Sequence, residues 1–241
     1  MKTIFVTGGA KRIGKAIIEL FAQDNWRVII HYNKSASEAE SLAERINANN
    51  KDTAFVVSGD LDNTEDVQAI ISSVNRISET IDLLVNNASA FYPTPIEEIS
   101  NVHWEKLIGS NLKGPLFLIQ GFKEKLQASK GSIINITDTN LTKGVANYSI
   151  YSAAKAGLES ITKGLAKELA PEIKVNAIAP GAMLEPPDVT WTEEQKNKII
   201  ESIPLKKMGA EKDIAEIIYF LVHADYITGQ IIAVDGGRSL I

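Results

Sequence analysis

Seven short runs of apolar and β-branched residues recur along the 241-residue chain, and stretches of helical spacing separate them. The runs are "TIFV" (3–6), "RVIIHY" (27–32), "TAFVV" (53–57), "IDLLVN" (81–86), "SIINIT" (132–137), "IKVNAIA" (173–179) and "QIIAV" (230–234). Apolar residues at successive positions mark strands covered on both faces, which is the habit of parallel sheets. Helices are predicted over 12–23, 36–49, 64–78, 97–128 (in two pieces), 149–170 and 211–223. Ser35 and Glu38 have the spacing of a capping box at the start of the second helix. Strand and helix in strict alternation give right-handed βαβ units. The fold class is therefore α/β, a doubly wound parallel sheet flanked by helices. No shift in composition marks a second unit, so one domain is expected over 1–241. Within it, residues 182–206 form a candidate substrate lid. They follow a strand, carry Pro186-Pro187 and exceed a plain connection in length.

Bulk properties remove several functions. Cysteine is absent, which excludes a disulfide framework and thiolate catalysis. The formal net charge is -5 and no basic stripe is present, so no nucleic-acid partner is expected. No apolar run reaches the length of a membrane span. The first strand-like run ends in glycines too early for a signal peptide, and a cytoplasmic protein without a membrane partner is expected. Hydrophobic residues make up 44% of the chain, enough for a core without metal support. His31, His103 and His223 are scattered without metal-ligand spacing, and no metal is expected.

The stretch "TGGAKRIGKA" (7–16) admits two phosphate-binding readings. As Gly9-x-x-x-x-Gly14-Lys15 it approaches a nucleoside-triphosphate loop, and Asp60 or Asp138 could supply the acidic metal ligand. That loop needs a hydroxyl directly after its lysine, and the residue there is Ala16. As a dinucleotide turn, Gly8, Gly9 and Gly14 let the backbone meet a pyrophosphate at a helix N-terminus, with Arg12 as an added cation. The second run ends in "HYNKSAS", without a carboxylate before Glu38 and with Lys34 and Ser35 open to a phosphate. An acid at this strand end would bind the ribose hydroxyl of NAD, so its absence points to NADPH.

Tyr151 and Lys155 are four residues apart at the start of a helix, and so share one face. A tyrosine with an ordinary pKa near ~10 is a poor acid–base catalyst at neutral pH. A neighbouring ammonium favours the phenolate and is expected to bring that value down.

Thr7-Gly8-x-x-x-x-Ile13-Gly14, Asp60-Leu61, Asn86-Asn87-Ala88, Asn111, Tyr151-x-x-x-Lys155 and Pro180-Gly181 resemble, in order and spacing, the short-chain dehydrogenase/reductase family. The resemblance covers nearly the whole chain, out to "ITGQIIAVDGG". It implies a seven-stranded Rossmann domain, a nicotinamide cofactor and a homotetramer, to which the small residues Ala153, Ala154, Gly157 and Gly164 would suit close helix packing. It implies Tyr151 as proton donor, Lys155 on the nicotinamide ribose and Asn111 on a proton-relay water. The cofactor would be held by Gly8, Lys11, Arg12, Ile13, Gly14, Tyr32, Asn33, Lys34, Ser35, Asp60, Leu61, Asn87, Ala88, Ser89, Thr137, Tyr151, Lys155, Pro180 and Gly181.

Two departures narrow the resemblance. Arg12 stands where a glycine is usual in the turn, and Asp138 stands where a serine is usual, thirteen residues before the tyrosine. An ionised aspartate has no proton for a ketone oxygen and would repel an oxyanion. A ring with N–H and C=N groups would suit it. Both departures, with "HYNKSASEA", "NNASAFYPTP" and "APEIKVNAIAPG", resemble the pteridine reductase branch, close to dihydromonapterin reductases. That branch implies a pterin stacked between Phe91 and the nicotinamide. The substrate would be lined by Arg12, Ser89, Phe91, Asp138, Tyr151, Gly181, Met183 and Leu184, with Trp191 in the lid candidate. Two rivals are a ketone reductase of the same fold, such as a 3-oxoacyl thioester reductase, and a non-catalytic NADPH-binding sensor. Asp138 and Phe91 oppose the first. Tyr151, Lys155 and Asn111 together oppose the second.

Overall fold

The structure, a computed structural model, describes residues 1–183 and 191–241. The chain forms β1 (Thr3–Val6), α1 (Arg12–Gln23), β2 (Arg27–Tyr32), α2 (Ala36–Asn49), β3 (Ala54–Ser58), α3 (Thr64–Ile77) and β4 (Leu83–Asn86). There follow α4 (Asn101–Ile108), α5 (Gly114–Ser129), β5 (Ser132–Ile136), α6 (Ser149–Glu168), β6 (Lys174–Pro180), α7 (Glu193–Glu201), α8 (Glu211–His223) and β7 (Ile231–Val234). The strands form one parallel seven-stranded sheet in the order β3-β2-β1-β4-β5-β6-β7. The winding reverses between β1 and β4, as in a doubly wound sheet.

The strand sequences explain the two-sided cover. Along β1, Ile4 and Val6 enter one core and Phe5 the other. Along β2, Val28 and Ile30 join the first and Ile29 the second. The first core is closed by α1, α2 and α8 through Ile17, Phe21, Leu42, Ile214 and Ile218. The second is closed by α3, α5 and the end of α6 through Ile70, Val74, Phe122, Leu126 and Ala166. A small third group, Leu107, Ile150 and Tyr151, sits under the loop that follows β4.

The expected elements are present, with shifted ends. Residues 81–82 fall outside β4 because the Asp82 carboxylate, not the ladder alone, takes the Thr3 N–H at 2.8 Å. The helix expected from 97 begins at Asn101, where Ser100 accepts the His103 N–H at 3.3 Å as its cap. It is then divided by a π turn over Gly109–Lys113. Pro115 has no N–H to return to the Asn111 carbonyl, so the α pattern cannot run straight through. Residues 184–190 of the lid candidate, including Leu184, Pro186 and Pro187, lie outside the described residues. Its later part contains α7, with a capping box between Thr192 and Gln195. Among the described residues no helix is long and apolar enough to cross a membrane.

A line of buried amides fixes the strands and helix that carry the site. Asn86 Nδ2 donates to Asn135 Oδ1 at 2.8 Å, and Asn135 Nδ2 donates to Thr162 Oγ1 at 2.9 Å. β4, β5 and α6 are thereby held in register. Asn135→Ala leaves the Asn86 side-chain N–H buried without its acceptor and the Thr162 hydroxyl with only the Leu158 carbonyl. It is expected to lower unfolding free energy by about 2–4 kcal/mol, read as a reduced urea midpoint at unchanged slope.

Candidate active site

β1 and β4 are neighbours whose following helices cover opposite faces of the sheet, and a crevice opens at such a point beyond the strand ends. Gly8 turns the chain there with φ 61°, and a Cβ on it would lie 3.1 Å from the Ala88 Cα. A Cβ on Gly14 would run into the Gly8 carbonyl and the Asn87 amide. Glycine is thus required at both positions. α1 begins directly behind this turn and presents its unpaired N–H groups there. Arg12 has φ 50°, so the position expected to hold glycine does take a glycine's conformation. An arginine in that region costs about 1 kcal/mol. Ile13 is half-buried and packs against the first core. A backbone stripped of Cβ atoms, a helix N-terminus and the cations Lys11 and Arg12 suit the pyrophosphate of a dinucleotide.

The expected capping box on α2 does not form. Ser35 is the N-cap residue but makes no side-chain cap hydrogen bond, and its φ of -98° and ψ of 53° lie outside the extended cap geometry. Glu38 instead receives Lys11 Nζ at 2.7 Å. That hydrogen bond holds the Glu38 carboxyl below its usual value. Tyr32 is half-buried at the end of β2, and Asn33 and Lys34 are exposed beyond it. Asn33 hydrogen-bonds Asp60. Burial raises the Asp60 carboxyl, but Asn33 and the Asp62 backbone outweigh it and hold the group below its usual value. Leu61 is buried in the second core. His31, given no role by sequence reasoning, accepts the Gly8 N–H on Nδ1 at 3.1 Å. Its place near the end of the strand beside the turn was the signal.

The loop after β4 is tied to the π turn. Asn111 is fully buried, accepts Ser89 Oγ at 2.7 Å and donates to the carbonyls of Ala90 and Leu107 at 2.9 Å each. Its amide therefore positions this loop. Phe91 is 49% exposed and stacks on Tyr148 at 4.6 Å and 18°, while meeting Tyr151 edge-on at 4.9 Å. Sequence reasoning missed Tyr148, three residues before Tyr151. Thr94 N–H donates to the Asn147 carbonyl at 2.6 Å and locks the two aromatic-bearing loops together.

Asp138 follows β5 and Tyr151 lies in the first turn of α6. Tyr151 Oη donates to Asp138 Oδ2 at 2.9 Å. The other carboxylate oxygen accepts the Asn140 N–H at 2.7 Å and the Asn140 side-chain amide at 2.9 Å, which fixes its plane. Lys155 is 2% exposed and donates to the Ile136 carbonyl at 2.8 Å. Burial draws its ammonium down to about 8, against the pull of Asp138. Tyr151 moves opposite to the sequence expectation: burial first, then the Asp138 carboxylate, push its hydroxyl above the ordinary value. Lys155 approaches the Tyr151 ring at 5.9 Å from the centroid, and burial together with the adjacent carboxylate outweighs it. Tyr151 is a phenol that holds its proton.

The remaining assignments lie around this group. Thr137 is buried and its hydroxyl donates to the Ile178 carbonyl at 3.3 Å. Thr139 Oγ1 donates to the Pro180 carbonyl at 3.2 Å, joining the Asp138 loop to the end of β6. A Cβ on Gly181 would collide with Asp235. Met183 does not open onto the site: it is buried in the first core, where a Cβ on Gly209 would strike its sulfur. Among the described residues no group of three or more His, Asp or Glu could hold a metal ion.

The chain is similar to known proteins along almost its full length. A family model described as enoyl-(acyl carrier protein) reductase matches residues 8–239. Pteridine reductase 1 of Leishmania tarentolae is 32% identical, covering 98% of this chain and 95% of that protein. A 3-oxoacyl-(acyl carrier protein) reductase of Staphylococcus epidermidis is 34% identical, covering 99% of both. Another of the same name from Aquifex aeolicus is 35% identical over 98% of this chain and 96% of its own length.

The buried lysine gives a signed pH dependence. Its pKa falls from 10.5 unfolded to about 8 folded. Between those values the unfolded chain binds more protons, so stability rises with pH across that window. Relative to Lys155→Met, the ligand-free protein should gain about 3 kcal/mol between pH 8 and 10.5. Urea titrations of both proteins at stepped pH measure the difference.

Proposed function

The chain belongs to the short-chain dehydrogenase/reductase family and is an oxidoreductase of it; on that premise we propose that it reduces a pterin or dihydropterin with NADPH. The observation that carries this reading is the 2.9 Å hydrogen bond from Tyr151 to Asp138. A carboxylate accepts hydrogen bonds and repels developing negative oxygen. It is poorly placed beside a ketone, which becomes an oxyanion on reduction. It suits a heterocycle whose ring N–H groups donate to it and whose C=N nitrogen takes a proton.

The residues divide the work accordingly. Phe91, with one face backed by Tyr148, offers an exposed aromatic surface to a flat ring. Asp138, its plane fixed by Asn140, accepts from the ring's donors. Tyr151 holds the proton on Oη and delivers it to the nitrogen beside the reduced carbon. NADPH, when bound, supplies the hydride. The glycine turn and α1 would hold its pyrophosphate, and Lys155 its ribose. Lys34 and the uncapped Ser35 hydroxyl favour a 2′-phosphate, because the first carboxylate beyond β2, Glu38, is engaged by Lys11. The similarity to pteridine reductase 1 supports the substrate class.

The experiment is to follow NADPH and NADH absorbance with 7,8-dihydrobiopterin, dihydromonapterin or an acetoacetyl thioester. Pterin-dependent oxidation of NADPH, slower with NADH and absent with the thioester, is the expected result. Thioester-dependent oxidation without pterin turnover would replace this reading with a 3-oxoacyl reductase. Tight NADPH binding without turnover of either would leave a sensor. Asp138→Ser should reduce pterin turnover by roughly 100-fold or more while NADPH binding is retained. Undiminished turnover in that variant removes the role given to Asp138.

A further inference from the structure

His31 lies on β2, one residue before its end, and is 1% exposed. Its imidazole touches backbone on both sides. Nδ1 is 3.1 Å from the Gly8 nitrogen, at the turn after β1. Nε2 is 3.1 Å from the Gly59 carbonyl oxygen, just after β3. Its own carbonyl accepts the Gly9 N–H at 2.8 Å, so both residues of the turn are tied to this one position. Phe5 packs edge-on against the ring at 6.3 Å.

One protonation state satisfies these contacts. The Gly8 N–H must point at a bare Nδ1, and the Gly59 oxygen must receive a hydrogen from Nε2. That is the neutral Nε2–H tautomer. A charged ring would set a second N–H against that of Gly8. Burial lowers the ring to about 4; the Gly59 hydrogen bond and the charge of Asp60 oppose this without reversing it.

We infer that His31 is a positioning residue for the cofactor: in its neutral Nε2–H form it braces the glycine turn against the segment after β3. The first was assigned above to the cofactor's pyrophosphate and the second leads into Asp60-Leu61, expected to hold the cofactor, so the inference rests on the dinucleotide part of the proposed function. The brace acts through the turn. The Gly8 N–H is spent on Nδ1, which sets the direction of the peptide planes that follow, up to the first turn of α1. Without an acceptor at Nδ1, a buried N–H loses its partner, and a turn at φ 61° loses the contact that holds it from the strand side.

Three variants and one spectrum test this. His31→Asn keeps an acceptor close to the place of Nδ1. His31→Gln carries its amide one bond further, toward the place of Nε2. His31→Phe keeps the ring's bulk and its packing on Phe5 but has no acceptor. Binding of NADPH is measured directly by calorimetry. The expected result is a dissociation constant raised less than about 10-fold for His31→Asn, which gives up only the Gly59 end of the brace, and one raised roughly 10–100-fold for His31→Phe and His31→Gln, which leave the Gly8 N–H without its acceptor. Side-chain ¹⁵N shifts of the ligand-free wild type at pH 7 should show a protonated Nε2 and a bare Nδ1. Should His31→Phe fail to fold, the Asn and Gln pair decides. Equal affinities in that pair, or an Nδ1–H tautomer in the wild type, overturn the inference. If wild-type protein binds neither NADPH nor NADH, the dinucleotide reading fails and this one falls with it.

Discussion

Thr7 and Asn87 clasp the two halves of the sheet across the point where the winding reverses. The Thr7 hydroxyl accepts the N–H groups of Asn87 and Ala88 at 2.9 and 3.0 Å. In return the Asn87 amide donates to the carbonyls of Thr7 and Gly8 at 2.9 and 3.1 Å. These bonds join segments eighty residues apart in sequence and satisfy backbone groups that a reversal of winding would leave open. They also bring the two loops so close that Gly8 and Gly14 have no room for side chains. The bare backbone that suits a pyrophosphate is thus a consequence of the clasp. The half that carries Tyr151 and Lys155 follows the same pattern one strand further on. The Asn86–Asn135–Thr162 line carries the register from β4 through β5 to α6.

α6 then carries a buried charge. Lys155 has its ammonium in the interior with the Ile136 carbonyl as its hydrogen-bond acceptor, and burial favours its neutral form. Asp138 offsets part of this by its charge, and it holds the Tyr151 proton at the same time. A carboxylate at this position therefore has two effects of opposite use. It stabilises the ammonium, and it moves the phenol away from ionisation. A phenol raised in this way is a weaker acid, so its proton leaves only toward a strongly basic acceptor, such as the nitrogen anion that hydride addition to a C=N bond creates.

The alternation of strands and helices was legible because apolar residues at successive strand positions have only one stable home, a sheet covered on both sides. What the sequence did not disclose depends on partners far along the chain. Ser35 and Glu38 have capping-box spacing, yet Lys11, on another element, takes the carboxylate. The π turn at Asn111 follows from Pro115, but a proline in a helix's first turn also reads as an ordinary start. Tyr151 and Lys155 were legible by spacing within one helix, and Asp138 through the resemblance, which expects a serine thirteen residues before the tyrosine. The direction of the Tyr151 shift was not, because it depends first on burial in the folded chain and then on which charged neighbour is nearer in space. Tyr148 and His31 escaped for the same reason: each acts on a segment dozens of residues or a whole strand away. Met183 was placed on the substrate side by the resemblance, but it is apolar and the first core beside Gly209 receives it.

Four unfavourable local choices meet around the candidate site. Arg12 takes a left-handed conformation, His31 is a buried polar ring, Asn111 sits in a π turn and Lys155 is a buried ammonium. Each choice is unfavourable by itself, and each is held by contacts that fix it further: Gly8 and Gly59 for His31, Ser89 and Ala90 for Asn111, Ile136 for Lys155. All four lie toward the carboxyl edge of the sheet or in the elements that meet it. A chain assembled for stability alone would place an apolar side chain at His31 and Lys155 and a glycine at Arg12. Local preference yields at these four residues, which sets this edge apart from the aromatic packing of Phe5, Phe21 and Phe122 in the two cores.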